Sequence, residues 1–190
     1  MSNPFPSNDA CLVVPTYNEC ENLPLLLATI AEQHVDITVL VVDDNSPDGT
    51  GQLAEDLKQS HQNLEILHRE GKLGLGTAYL AGIRWALDRK FERILTMDSD
   101  FSHHPRYLPA MLRLGDTVDV AIGSRYVPGG GTVNWPLKRR LLSRAANLLA
   151  RTITGAGASD LTAGFRCYRR GILEQIDLDH FRCKGYAVLI

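Results

Sequence analysis

Two aspartates separated by one residue, Asp98 and Asp100, follow the apolar segment Arg93–Met97, which is predicted to be a strand. On an extended segment, residues i and i+2 point to the same side, so both carboxylates would face one point beyond the sheet edge. Two like charges so close are unfavourable unless a cation neutralises them. Oxygen ligands with open positions suit Mg²⁺ or Mn²⁺ bridging to substrate phosphates. The pattern predicts a divalent metal site, against the alternative that these residues only cap a helix.

Two further polar motifs follow predicted strands. Pro15, Tyr17 and Glu19 come after the first apolar run, where Tyr17 could pack on a base and Glu19 could bond to ribose or base. Asp44 follows the second run, within a stretch that would also suit a turn and a helix cap. Ligands bind beyond the carboxyl ends of parallel strands, so these motifs are candidates for nucleotide binding.

The elements that must position these residues alternate between strand and helix patterns. Short runs rich in Val, Ile and Leu predict buried strands at Cys11–Val14, Ile37–Val42, Leu64–Leu67, Arg93–Met97 and Val118–Ile122. Helical patterns lie between them at Leu23–Glu32, Gln52–Ser60, Gly76–Asp88 and Pro105–Leu114. This alternation predicts a single α/β domain with a mostly parallel sheet flanked by helices, which 190 residues with 44% hydrophobic content can form.

Charge is segregated in the second half of the chain. Between Val120 and Ser159 there is no acidic residue, and the basic residues there are Arg125, Lys138, Arg139, Arg140, Arg144 and Arg151. The net charge of the whole chain is −2, so the remainder is acidic. A predicted helix, Leu137–Thr154, is amphipathic and basic, and suits an anionic surface such as a membrane. The alternative, which the helix alone would favour, is a solvated helix whose arginines extend into water. Few aromatic residues interleave with these charges, so nucleic acid is not expected as a partner.

Other patterns exclude several kinds of chemistry. The glycines of Gly71–Gly76 follow the third strand in an order that matches neither the dinucleotide fingerprint nor a P-loop. We interpret them as a tight, flexible entry to the next helix, which could also cover the nucleotide. No arrangement of Ser, His, Asp or Cys suggests a covalent nucleophile. Scattered cysteines without metal spacing, and no signal peptide at Met1 to Asp9, predict a cytoplasmic protein.

Several motifs together resemble those of the dolichol-phosphate mannose synthases, which belong to glycosyltransferase family 2. They are V-V-P-T-Y-N-E, V-V-D-D-N-S-P-D-G-T, K-L-G-L-G-T-A-Y, M-D-S-D-F-S-H-H-P, G-S-R-Y and D-L-T-A-G-F-R-C-Y-R-R. The resemblance extends from about Leu12 to Ile190. It implies a GT-A fold, a Rossmann-like nucleotide-binding sheet, in which residues 1–124 form the nucleotide-sugar-binding half and residues 125–190 the acceptor-binding half.

The resemblance also implies residue roles. The nucleotide would be bound by Pro15, Tyr17, Glu19, Val42 and Asp44, and the metal by Asp98, Asp100 and the residue at position 102. Some relatives have a glutamine at this last position; here it is Ser102, a weaker ligand, so water or His103 is expected to complete the shell. The acceptor phosphate would be bound by Arg125, Arg139 and Ser143. The residues expected to be catalytic are Asp98, Asp100 and Arg125.

The implied reaction is inverting transfer of mannose from GDP-mannose to a dolichyl or other polyprenyl phosphate, by a protein peripheral to the cytosolic membrane face. The lipid phosphate is already ionised, so no general base is needed. Transfer from a UDP-sugar, a nucleotidyltransferase and a non-catalytic nucleotide-sugar-binding module stay open as alternatives. The chain ends within an apolar run, Gly185–Ile190, so we expect that the natural protein continues.

Overall fold

A computed structural model describes residues 9–128, 130–131, 136–155 and 157–178, and only the backbone of Arg139 and Arg140. The predicted apolar run Gly185–Ile190 lies outside these residues. The strands are β1 (Ala10–Thr16), β2 (Thr38–Asp43), β3 (Leu64–His68), β4 (Arg93–Thr96), β5 (Val120–Ile122) and β6 (Arg166–Arg169). The helices are α1 (Asn22–Ala31), α2 (Thr50–Lys58), α3 (Leu75–Asp88), α4 (Leu108–Gly115), α5 (Leu137–Thr154) and α6 (Arg170–Leu173), and a 3₁₀ turn, Pro105–Tyr107, precedes α4.

The six strands form one sheet in the order β3-β2-β1-β4-β6-β5. Strands β1 to β4 are parallel to one another, whereas β6 pairs antiparallel with both β4 and β5. The mostly parallel α/β sheet predicted from the sequence is therefore confirmed. The strand β6 was not predicted, because arginines occupy both of its ends and only Cys167 and Tyr168 between them are apolar or aromatic.

Helices cover both faces of the sheet, which explains why the central strands are apolar on both sides. In β1, Leu12 and Val14 pack in a cluster with α1 and α4, while Cys11 and Val13 pack in a second cluster with α3. Helix α3 lies very close to β1, since a Cβ added to Gly82 would be 2.3 Å from a methyl carbon of Val13. The helices packed on the two faces of the sheet hold the strands in place, and with them the strand ends that carry the polar motifs.

Helix α5 has the bounds predicted from the sequence, but it is peripheral to this core. It begins after Pro136 and ends at Gly155, which has a left-handed conformation with a φ of 68°. Six of its large apolar side chains are between 56% and 74% exposed: Leu137, Leu141, Leu142, Leu148, Leu149 and Ile153. The polar Asn147 is its one buried side chain among those described. No helix in the described part of the chain combines the length and apolar character needed to cross a bilayer.

Candidate active site

An acidic cavity of about 330 Å³ lies beyond the carboxyl ends of β1, β2 and β4. The residues lining it are Pro15, Thr16, Tyr17, Glu19, Asp44, Lys72, Gly74, Leu75, Ala78, Asp98, Ser99 and Asp100. It brings together six of the residues singled out from the sequence at three separate strand ends, as expected for a parallel sheet. Val42 is not among them, because its side chain is fully buried in the core between the sheet and α3.

Asp98 is held on the wall of the acidic cavity by contacts on three sides. One carboxylate oxygen, Oδ1, accepts a 2.6 Å hydrogen bond from the hydroxyl of the buried Tyr79 on α3. The other oxygen, Oδ2, is 3.8 Å from Nδ1 of His103. The backbone of Gly164 packs against the same carboxylate so closely that an added Cβ would be 3.1 Å from Oδ2. These contacts leave Asp98 little freedom to change its orientation.

Asp100 is exposed at the rim of the cavity and shapes the turn that follows it. Its Oδ1 accepts a 2.9 Å hydrogen bond from the backbone N–H of Ser102, and Phe101 between them has a φ of 58°. Among the described residues, no three His, Cys, Asp or Glu side chains form a cluster that could hold a metal ion. Two carboxylates on one cavity wall nevertheless fit Mg²⁺ or Mn²⁺, which commonly takes its other ligands from water and substrate phosphates.

His103 is mostly buried beside this pair and lies between two groups of charges. Its Nδ1 is buried without a hydrogen-bond partner among the described residues, and its ring centroid is 5.6 Å from that of Phe165. Burial lowers the pKa of His103, and Arg125 adds to this effect, while the charges of Asp98, Asp100 and Asp160 oppose it. The net direction is downward, so the imidazole is neutral at pH 7.

Asp44 organises the glycine-containing loop between β3 and α3. Its Oδ1 accepts a 2.5 Å hydrogen bond from Arg69, and its Oδ2 accepts bonds of 3.1 Å from the backbone N–H groups of Leu73 and Gly74. The side chains of both Arg69 and Asp44 are largely buried. The role of Arg69 was not predicted, because its contact with Asp44 depends on the pairing of β2 with β3.

A second, basic cavity of about 530 Å³ lies between α5 and the loop after β5. It is lined by Arg125, Tyr126, Val127, Gly130, Gly131, Arg144, Asn147, Leu148, Arg151 and Ser159. Three arginines and no acidic residue contribute to this lining, which favours an anionic ligand. The cavity agrees with the charge segregation found in the sequence.

The predicted acceptor residues have different positions with respect to the basic cavity. Arg125 lines it directly. Ser143 does not line the cavity but contacts a residue that does, since its Oγ accepts a 2.7 Å hydrogen bond from the hydroxyl of Tyr126. Arg139 belongs to α5, but its side chain lies outside the described part of the structure.

A buried carboxylate that the sequence did not single out, Asp160, joins the walls of the basic cavity. It accepts hydrogen bonds of 2.6 and 2.7 Å from the guanidinium of Arg125 and one of 3.2 Å from Asn147 on α5. Burial raises the pKa of Asp160, but the hydrogen bonds and charge of Arg125 together outweigh this effect and the net pKa is lowered. The only sequence signal was its place in the motif D-L-T-A-G, to which no role was attached.

One short segment connects the two cavities. Thr162 accepts a 2.7 Å hydrogen bond from Arg125, and Gly164, two residues later, packs on Asp98. The buried guanidinium of Arg166 donates to the carbonyl oxygens of Leu161 and Ala163 and so fixes the segment from within. Residues 162–164 therefore connect the wall of the acidic cavity at Asp98 with the wall of the basic cavity at Arg125.

Comparison with known proteins agrees with this geometry. The sequence pattern of Glycosyl transferase family 2 matches residues 11–177. Polyprenol monophosphomannose synthase from Mycolicibacterium smegmatis is 46% identical over 187 residues, which cover 97% of this chain and 71% of the relative. Undecaprenyl-phosphate mannosyltransferase from Micrococcus luteus is 47% identical over 175 residues, which cover 92% of this chain and 72% of the relative.

Two solved structures share the fold of this chain, and both of those chains are longer than this one. TarS from S. aureus in complex with UDP has a TM-score of 0.61 and 25% identity, over 87% of this chain and 48% of that one. Mannosyltransferase PcManGT from Pyrobaculum calidifontis, in complex with GDP-Man and Mn²⁺, has a TM-score of 0.60 and 21% identity, over 92% of this chain and 48% of that one. This chain thus spans about half the length of these structures. With its GT-A sheet and a match across most of its length, the chain belongs to glycosyl transferase family 2 and is a glycosyltransferase.

Proposed function

We propose that this enzyme transfers mannose from GDP-mannose to the phosphate of a polyprenyl or dolichyl lipid, with inversion at the anomeric carbon. The names of the two relatives, a polyprenol monophosphomannose synthase and an undecaprenyl-phosphate mannosyltransferase, support mannose as the sugar and a polyprenyl phosphate as the acceptor. The GDP-Man bound by PcManGT supports the choice of donor. Residues 1–124 would bind the donor and residues 125–190 the acceptor.

The acidic cavity is the proposed donor site. Tyr17 and Glu19 are placed to contact the nucleoside, since both line the cavity at the end of β1. Asp98 and Asp100 would hold Mg²⁺ or Mn²⁺, and the ion would neutralise charge on the departing diphosphate. Asp44 contributes through the loop it holds, because Arg69 and two backbone N–H groups already bond to its carboxylate.

The basic cavity is the proposed acceptor site. Arg125, Arg144 and Arg151 provide the positive charge that a lipid phosphate needs, and Asp160 fixes the orientation of the Arg125 guanidinium. An oxygen of the lipid phosphate attacks the anomeric carbon from the side opposite the leaving diphosphate. This oxygen carries negative charge at pH 7, since the second pKa of a phosphate monoester is about 6, so no side chain has to remove a proton. A single displacement inverts the configuration.

We further propose a location at the cytosolic face of a membrane, and helix α5 supports binding to a membrane surface. Its exposed leucines and the exposed Arg144 and Arg151 combine apolar area with positive charge, the combination that binds anionic lipid headgroups. Because Leu148, Arg144 and Arg151 also line the basic cavity, a lipid phosphate could enter the cavity while its chain stays in the bilayer.

The observation that carries the proposal is the adjacency of the two cavities through Thr162 and Gly164. It is tested by incubating the enzyme with radiolabelled GDP-mannose, Mn²⁺ and a polyprenyl phosphate, and counting label in the organic phase. Asp98→Asn should lower the rate at least about 100-fold, because it removes charge at the metal position. Asp88→Asn, at the far end of α3, is the matched control and should leave the rate unchanged.

Donor choice is tested in the same assay with UDP-mannose and UDP-glucose in place of GDP-mannose. Faster transfer from either UDP-sugar would reject the proposed donor but keep the acceptor. Equal rates for Asp98→Asn and the wild type would reject the metal role. Nucleotide binding without any transfer, in the longest natural chain, would instead identify a non-catalytic binding module.

A further inference from the structure

The acidic cavity holds one cationic side chain among its described lining residues, that of Lys72, beside the carboxylates of Glu19, Asp44, Asp98 and Asp100. Arg69 neutralises Asp44 from behind the wall and does not line the cavity. A nucleotide sugar, the donor class of the proposed function on which this inference rests, adds the negative charge of a diphosphate to this wall. Besides the proposed metal ion, a cationic side chain that reaches the diphosphate is therefore needed to offset this negative charge.

The backbone around Lys72 is fixed but its side chain is exposed. Lys72 precedes Leu73 and Gly74, whose N–H groups are bonded to Asp44, so the loop is anchored immediately after it. Its Nζ lies 3.8 Å from the centroid of the Tyr17 ring. Within the described ranges no carboxylate lies within ion-pairing distance of this ammonium group. The ammonium group thus covers a ring face that a nucleobase could use.

We propose that Lys72 binds the diphosphate of the nucleotide sugar and, in doing so, exposes the ring of Tyr17 to the nucleobase. An exposed contact between an ammonium group and an aromatic ring is weak, whereas an ammonium–phosphate hydrogen bond is among the stronger polar contacts. The bound diphosphate therefore draws the ammonium group away from the ring. The positive end of α3 adds to the same field, because Gly74, Leu75 and Ala78 from its start also line the cavity.

The test compares ligands that share a base but differ in phosphate. Affinities for guanosine and for GDP with Mn²⁺ are measured by calorimetry or by NMR titration for the wild type, Lys72→Met and Lys72→Arg. Lys72→Met should weaken GDP binding about 10- to 100-fold, as expected for loss of a hydrogen bond to a charged group. Its affinity for guanosine should stay equal or rise, since Tyr17 is uncovered, and Lys72→Arg should retain most of the GDP affinity.

Lys58→Met is the matched control, because Lys58 is an exposed lysine at the end of α2 that pairs with Glu65 away from the cavity. It should bind both ligands as the wild type does, and unchanged melting temperatures show that each variant is folded. An equal loss of guanosine and GDP affinity in Lys72→Met would overturn the inference in favour of a contact with the base. Unchanged GDP affinity would overturn it outright. If the wild type binds no nucleotide, the proposed function falls as well.

Discussion

The carboxylate of Asp160, which is fully buried, holds the guanidinium of Arg125 by two hydrogen bonds of 2.6 and 2.7 Å. The same carboxylate accepts a hydrogen bond from Asn147, so it ties α5 to the loop after β5. A buried ion pair contributes through its geometry more than through net attraction, but removal of one partner leaves an uncompensated charge. Both stability and the shape of the basic cavity therefore depend on this residue.

Asp160→Asn should lower the free energy of unfolding by about 3 kcal/mol, because it removes the buried negative charge that compensates the guanidinium of Arg125. Urea unfolding followed by circular dichroism measures the change. Asp119→Asn is a suitable control, since Asp119 is 71% exposed and its 3.8 Å contact with Arg169 is a surface pair. That control should change stability by less than about 1 kcal/mol. Similar losses in the two variants would contradict the importance assigned to burial.

The same pair predicts how stability depends on pH. The pKa of Asp160 is lowered in the folded protein, so the unfolded chain binds the proton more readily. The stabilisation is therefore present above the unfolded pKa of about 3.9 and is lost as the pH falls through the lower, folded pKa. Urea midpoints measured from pH 7 down to pH 3 should fall more steeply for the wild type than for Asp160→Asn. Parallel curves would show that Asp160 does not titrate as proposed.

Gly164→Ala should disturb the proposed metal site at Asp98 without replacing any polar side chain. The new Cβ would lie 3.1 Å from Oδ2 of Asp98, and the backbone cannot easily withdraw because Gly164 O accepts a 2.7 Å hydrogen bond from Thr96. We expect Mn²⁺ affinity, measured by electron paramagnetic resonance, to fall about tenfold, as for other changes around metal ligands.

Gly157→Ala is the control for this prediction, because a Cβ at Gly157 would meet no atom within 4 Å. It should bind Mn²⁺ like the wild type. Equal affinities for Gly164→Ala and the wild type would mean that Asp98 can move aside freely or does not bind the ion.

The exposed apolar side chains of α5 predict binding to lipid. Leu142→Glu or Leu149→Glu should reduce partition onto vesicles that contain anionic lipid by about tenfold each, through loss of inserted apolar area and added charge repulsion. Co-sedimentation with vesicles measures it. Leu25→Glu is matched in exposure, at 61% against 62% for Leu149, but lies on α1. If all three variants lose binding alike, α5 is not the lipid-binding surface.

Much of the fold was predictable because short apolar segments indicate buried strands without any knowledge of the rest of the chain. The central strands β1 and β2 consist mostly of consecutive apolar residues, and the motifs that follow β1, β2 and β4 lie at the carboxyl ends of these strands. This accounts for the convergence of Tyr17, Asp44 and Asp98 in one cavity. The strand β6 escaped prediction because its buried Arg166 is satisfied by carbonyl groups of its own loop, which no periodicity reveals.

The parts of the site that could not be predicted depend on contacts between distant segments. Arg69, which follows β3, donates a hydrogen bond to Asp44, which follows β2. Asp160 accepts hydrogen bonds from Arg125 in the loop after β5 and from Asn147 on α5. A lone aspartate or arginine in a sequence carries no sign of such a partner. Only the folded protein brings these groups together. By contrast, Asp98 and Asp100 are separated by one residue, so their pairing is visible in the sequence.

The insertion of β6 between β4 and β5 has a consequence for how the protein is made. Arg93 pairs with Arg169 and Thr96 with Arg166, so one side of β4 has no neighbour until a stretch some 70 residues later has left the ribosome. During that interval the nascent chain presents an open row of backbone N–H and C=O groups, which is prone to pairing with other chains. Because Thr162 and Gly164 immediately precede β6, the link between the two cavities and the closure of this edge form in the same step of folding.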